Sequence, residues 1–275
     1  MLCALLAAAC GGAAGRSVAV DVGRVVVRSA PDRLEAPVAE AVRGHLERSP
    51  LFTVSGSSDD PPVELAVREV ADGAERGIRI AAVIADPKAP SGRWEATVEV
   101  LATGGRALEG ADLDAAAARV VAVLEARRLL ATGRREAVGR VLTSDDPEIV
   151  GLALDWIRDH QPKDYADAAV PYLASDHPNL VRRAAEILGR TQDPAYVSVL
   201  LDAAQRAPEG PRRAVYEALG RIGGDRAERF LELAAEHEAS AELAEAARRA
   251  LDGLRHPVGA GASARLDVGM RRGHR

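Results

Sequence analysis

Aromatic residues are scarce: Phe, Trp and Tyr together make up 3% of the 275 residues. A core short of rings is filled by Ala, Leu and Val, which suits closely packed helices better than a large β-sandwich. Lysine occurs only at Lys88 and Lys163, and this scarcity excludes several chemistries. A P-loop needs Gly before its Lys, but Pro87 and Pro162 stand there. A Ser-x-x-Lys nucleophile needs Ser three residues earlier, where Ala85 and His160 stand. The chain also lacks a Gly-x-Ser-x-Gly elbow, a His-Glu-x-x-His pair and a Gly-x-Gly-x-x-Gly after a strand. Both cysteines, Cys3 and Cys10, fall in the first ten residues, so the body has no disulfide, cysteine zinc site or thiol nucleophile.

What is present describes a globular chain long enough for two domains. Hydrophobic residues at 47% and charged residues at 28% match ordinary folded proteins. A net charge of -5 argues against a nucleic-acid partner, whose phosphates need a concentrated basic surface. The six histidines, His45, His160, His177, His237, His256 and His274, are scattered without ligand spacing and read as surface or turn residues. Asp145, Asp146, Asp176 and Asp193 each precede an expected helix, where a carboxylate caps free backbone N–H groups; that role outweighs a catalytic one. No cofactor or metal is expected, and the chain reads as a non-enzyme.

After a small-residue linker, the valine-rich stretch 18–27 reads as one strand, or as two broken at Gly23. Apolar residues at helical spacing predict a helix over 31–48, then a short strand at 51–54. Three alternating segments, 63–70, 78–84 and 94–101, are joined by loops bearing the Gly, Asp and Pro of hairpin connections. A long helix follows over 112–130, with Ala116, Val120, Val123, Leu124 and Leu130 on one stripe. This order predicts a two-layer α+β domain over 17–131, an antiparallel sheet with helices on one face. In element order it resembles the small α/β domain at the amino terminus of the Tol–Pal translocation protein and in some flagellar and penicillin-binding-protein-activating envelope lipoproteins.

The second half repeats. Val141-Leu-Thr-Ser-Asp-Asp-Pro-Glu-Ile-Val150 lies over Tyr172-Leu-Ala-Ser-Asp-His-Pro-Asn-Leu-Val181 at an offset of 31, and the same offset places Leu188-Gly-Arg190 on Leu219-Gly-Arg221. Such self-similarity marks a stack of two-helix units. The pairs expected are 147–158 with 164–174, 178–190 with 194–206, and 211–221 with 225–237. Helix 241–254 closes the stack and 134–142 precedes it. The run Asp176-His-Pro-Asn-Leu-Val-Arg-Arg-Ala-Ala-Glu-Ile-Leu-Gly189, with Asp193-Pro194 and Leu200-Leu201, resembles the HEAT-like repeat of phycobilisome lyases. The resemblance implies an all-α solenoid over 132–256. Arg182 and Arg213 take that family's Arg position, where they are expected to bridge to the capping aspartates, while Gly151 and Ala244 interrupt the row. A disordered basic tail is expected over 257–275.

At the start, Leu6-Ala-Ala-Ala-Cys10 followed by glycines resembles the end of a bacterial lipoprotein signal, in which the cysteine becomes the lipidated first residue. No Lys or Arg precedes the run, and it is shorter than the usual signal of about 15–30 residues; a start codon upstream of Met1 would supply both. The expectation is a lipoprotein of the bacterial cell envelope, meeting the membrane only through lipid on Cys10; without a signal the chain would be cytoplasmic.

In solenoids of this kind the second helices line the concave side. Their outward stripe, Val170, Val199, Asp202, Arg206, Glu228, Glu232 and Glu236, runs from apolar to acidic and suits a basic, partly apolar segment of another protein. The expected function is a protein-binding scaffold. Two alternatives from other classes remain: a HEAT-like lyase or isomerase acting on a chromophore, and a HEAT-like nucleic-acid-binding module.

Overall fold

The computed structural model describes residues 19–73, 75–102, 106, 108–160 and 163–256. The chain divides into two compact units, Met1–Ala137 and Val138–Arg275. Cys10 and the segment 257–275 lie outside the described residues.

The first unit begins with two short strands, β1 (Val20–Val22) and β2 (Val25–Ser29), so the valine-rich stretch is broken after Val22. Helix α1 (Asp32–Arg48) follows, then β3 (Phe52–Val54), β4 (Val63–Asp72), β5 (Glu75–Ala85), β6 (Arg93–Ala102) and helix α2 (Gly110–Ala131). The four-stranded sheet has the order β2-β4-β5-β6. β4, β5 and β6 form the expected antiparallel meander. The opening strand joins differently: β2 pairs parallel with β4, and β1 pairs parallel with β3 in a separate ribbon. A helix between a strand and its parallel neighbour is what that return requires.

Alternation decides the faces. Val63, Leu65 and Val67 of β4, Ile78, Ile80 and Ile84 of β5, and Ala96 and Val98 of β6 are buried. α1 and α2 pack on the sheet and against each other, using Leu34, Val38, Val42 and Leu46 from α1 and Ala116, Val120, Val123, Leu124 and Leu130 from α2. Between these inward residues stand charged ones, among them the directly opposed pair Arg79 and Glu99, whose Nε to Oε2 distance is 2.9 Å. Glu109 and Asp112 cap α2 reciprocally; Asp112 is thus the third helical residue rather than the cap itself.

From α3 (Arg135–Leu142) onward the chain is helical: α4 (Pro147–His160), α5 (Ala166–Ala169), α6 (Pro178–Thr191), α7 (Val197–Arg206), α8 (Glu209–Ile222), α9 (Asp225–His237) and α10 (Ala241–Arg255). Prolines shape the second helices. Pro171 turns the end of the α5 segment into a 3-10 stretch over Val170–Ala174, and Pro194 opens a 3-10 turn over Pro194–Tyr196 before α7. No described helix is long and apolar enough to cross a membrane.

α4, α6, α8 and α10 form one layer; α5 with its 3-10 extension, α7 and α9 form the other. Leu188 of α6 and Leu219 of α8, equivalent at the 31-residue offset, are both 0% exposed. The two layers are not equally tight. First helices touch along much of their length, whereas α7 and α9 meet at few residues. Glycine explains the close side. A Cβ at Gly189 would lie 2.8 Å from the Ala218 Cα, and one at Gly220 would lie 2.7 Å from the Ala250 carbonyl oxygen, so these helices approach backbone to backbone. The first-helix layer is therefore packed backbone to backbone from α6 through α8 to α10.

Candidate protein-binding faces

The outward stripe of the second helices contains the residues singled out from the sequence. Val170, Val199, Glu228 and Glu232 are half-buried, while Asp202, Arg206 and Glu236 are exposed. On α7 the buried side is Val197, Leu200, Ala203 and Ala204; on α9 it is Ala227, Leu231 and Ala234, with Phe230 at its margin. The Phe230 ring instead meets Tyr216 edge-on, with centroids 5.8 Å apart.

α9 is seated by its buried Ala227, Leu231 and Ala234, and two arginines mark its flanks. Arg226 Nη1 donates to Ser198 Oγ of α7 at 2.9 Å, so this flank of α9 looks toward the preceding unit. On the other flank Arg255 of α10 donates from Nε to Glu228 at 2.9 Å and from Nη2 to Glu232. The acidic row is therefore half-neutralised by a residue that the sequence pattern did not connect to it. Glu236 lies outside that cluster, next to His237. Beside it Leu233 is 60% exposed, the one large hydrophobic so placed among the described residues. Val170, Val199 and Leu233 give this face its apolar part.

The first helices carry a different pattern. At the 31-residue offset, Arg182-Glu186-Arg190 of α6 coincides with Arg213-Glu217-Arg221 of α8, each with four-residue spacing along one helix stripe. Arg182 bonds Glu186 and Arg213 bonds Glu217, each one turn along its own helix, so the expected bridges to capping aspartates do not form. A flexible guanidinium meets a carboxylate four residues on before it reaches one across a turn. Two of the four aspartates do cap: Asp146 accepts from the Glu148 N–H and Asp193 from the Ala195 N–H, both at 2.9 Å. Helix α6 is capped at His177 with no side-chain bond, so Asp176 does not serve it.

Between α4 and α6 the charges interlock. Arg158 donates to Asp155 at 2.9 Å, to Asp159 at 2.8 Å and to Glu186 at 3.2 Å. Its hydrogen bond holds the Asp159 carboxyl below the usual carboxylate range, and the pairing raises the Arg158 guanidinium in turn. Arg183 Nε lies 3.0 Å from Asp155 Oδ1 as an ion pair, though its N–H does not point along a hydrogen bond. Arg190 Nη1 donates to the Arg158 carbonyl at 3.1 Å.

Further along, tyrosines tie neighbouring segments together. Tyr172 Oη donates to the Leu142 carbonyl at 2.7 Å and Tyr196 Oη to Asp167 at 2.8 Å. Tyr216 Oη donates to Glu238, whose other oxygen receives Arg212 Nη1 at 3.1 Å. Burial first, then the bond to Glu238, pushes the Tyr216 phenol well above its ordinary value; Tyr196 is pushed up to about 12 by burial and by its bond to Asp167. The histidines serve locally: His45 Nε2 lies 2.9 Å from Asp114 Oδ1, and His160 stacks on Trp156 at 4.8 Å.

Stacked pairs of antiparallel helices with a regular offset and two solvent-facing layers define an α-helical repeat domain. The family model for HEAT repeats matches residues 135–215 and 166–252, so the second half of the chain is a HEAT-repeat region, as the 31-residue pattern implies. No curated protein and no solved structure matches the chain.

Proposed function

We propose that the protein is a non-enzymatic scaffold of the bacterial cell envelope that holds another protein through its HEAT repeats. Repeat modules of this kind present extended surfaces to other proteins, because each unit adds an outward stripe to the one before. The observation that carries the reading is the outward stripe of α7 and α9. It places the exposed Leu233 beside the acids Glu232 and Glu236, with Val199, Asp202 and Arg206 on the preceding helix. An apolar contact flanked by carboxylates suits a basic, partly apolar segment of a partner. Arg255 then acts as an internal stand-in, occupying two of the carboxylates that a partner's basic side chain would take. Cys10, preceded by Leu6-Ala-Ala-Ala9, supports attachment through lipid.

The test joins capture and fractionation. Wild type and the Glu228→Arg, Glu232→Arg, Glu236→Arg triple variant, both checked for folding by circular dichroism, are used to capture partners from envelope extracts. A specific partner lost in the variant supports the reading; equal capture by both moves the binding surface elsewhere. In the native host, Cys10→Ser should shift the protein from the membrane to the soluble fraction. A wild-type protein already soluble there ends the lipoprotein part of the proposal.

A further inference from the structure

The first-helix layer carries a second surface, opposite in sign to the one just described. Between α8 and α10 runs an open groove whose rim holds Arg213, Arg221 and Arg249 against a single carboxylate, Glu217. The lining charge is thus three positive to one negative. All three arginines are exposed. Glu217 is shared between Arg213 at 3.1 Å and Arg221 at 3.8 Å, while among the described residues Arg249 pairs with Glu245, at 3.9 Å, on its own helix. At the α4–α6 end of the same layer Asp155 and Asp159 answer the arginines of the neighbouring helix. At the offset of Asp155 and Asp159, α8 carries Glu217 and Arg221 instead, so the positive charge at this end is less compensated.

The floor is made of small groups. Gly220 lets α8 and α10 meet through backbone, and Gly253 has open space where a side chain would stand. Ile222 and Leu254, both half-buried, close the carboxyl-terminal end of the groove with apolar surface. Its length follows from the helix rise: from Arg213 to Ile222, the last residue of α8, the chain covers about 14 Å, enough for about four residues of extended peptide.

We propose that this groove binds an extended acidic segment of a partner protein, with carboxylates on the arginine rim and an apolar side chain against Ile222 and Leu254. Planar guanidiniums suit carboxylates, which they can grip with two parallel hydrogen bonds. A nucleic-acid backbone fits less well. It needs a continuous basic track many phosphates long, and this groove offers three arginines over one short stretch of α8 and α10. The proposal is independent of the acidic stripe on the second helices and survives its failure, since the two faces share no residue.

The test uses the full chain and fluorescence anisotropy with three labelled probes: an acidic hexapeptide of four glutamates and two leucines, its glutamine counterpart, and hexathymidylate. The acidic peptide should bind in a salt-sensitive way, the other two weakly or not at all. Arg213→Gln with Arg249→Gln should weaken it by about tenfold or more. Gly253→Leu, which fills the open space while leaving every arginine in place, should do the same without loss of helix. The Glu228, Glu232 and Glu236 triple variant should bind the acidic peptide like wild type. Absence of binding in wild type, equal binding by both groove variants, or tighter binding of hexathymidylate would each overturn the proposal.

Discussion

Gly189 faces Ala218 so closely that a methyl group added to the glycine would lie 2.8 Å from the alanine Cα. The partner atom is backbone and cannot rotate away. Gly189→Ala should therefore push α6 and α8 apart, at a cost of about 1–3 kcal/mol for overpacking. Gly253→Ala is the matching control: the site is open and helical, and the same change should be neutral or slightly stabilising there. Urea unfolding checks both. With Trp94→Phe as background, Trp156 becomes the sole tryptophan and reports on the repeat unit alone.

Leu188→Ala and Leu219→Ala each remove a fully buried side chain and should cost about 2–5 kcal/mol. Because each repeat is supported only by its neighbours, the Leu188 variant should speed amide exchange in α4 and α8 as well as α6. Faster exchange confined to α6 would contradict a stacked array.

Tyr216 predicts alkaline behaviour. Its phenol is raised above the ordinary value by burial and by the bond to Glu238, so folding favours the protonated form. The stability this contributes is fully present below about pH 10, the unfolded tyrosine value, and is lost as pH rises through the higher folded one. Absorbance near 295 nm should show Tyr216 ionising together with unfolding rather than before it. Tyr216→Phe should flatten the fall of melting temperature above pH 10.

Arg158 predicts the acid side. Its side chain is 22% exposed and joins Asp155, Asp159 and Glu186. Arg158→Met should cost about 1–3 kcal/mol at neutral pH, as the loss of charged hydrogen bonds from a half-buried cluster does. Asp159 is held below its unfolded value, so its contribution is present above about pH 4 and disappears as pH falls through the lower folded value. The variant should lose that contribution, flattening the pH dependence of stability below pH 4.

Much of this was legible in the residues. The 31-residue offset located the helix pairs because each unit must bury the same face against its neighbour, and alternation located β4, β5 and β6 because one face of the sheet is packed. Periodicity reports burial and says nothing of pairing, which is why the parallel joining of β2 to β4 was not visible. The partners of Arg182 and Arg213 differ from the expected ones for a related reason: a side chain's choice among several carboxylates depends on rotamer reach, and Glu186 and Glu217 lie one turn away on the same helix. The twin Arg-Glu-Arg stripes were within reach of the same offset. Arg255 was not, since its link to Glu228 and Glu232 joins the last helix to the one before it across the stack.

The contrast between a first layer joined backbone to backbone at Gly189 and Gly220 and a second layer joined by a few side chains has a mechanical consequence. Compressing α6, α8 and α10 further meets hard atomic repulsion at once, while spreading α7 from α9 parts elements that approach at few residues, with the Arg226 bond to Ser198 among their links. The repeats should bend as the leaves of a book bend about its spine, stiff along the bound edge and compliant along the free one. A load applied across the second helices would fan them open long before it separated the first.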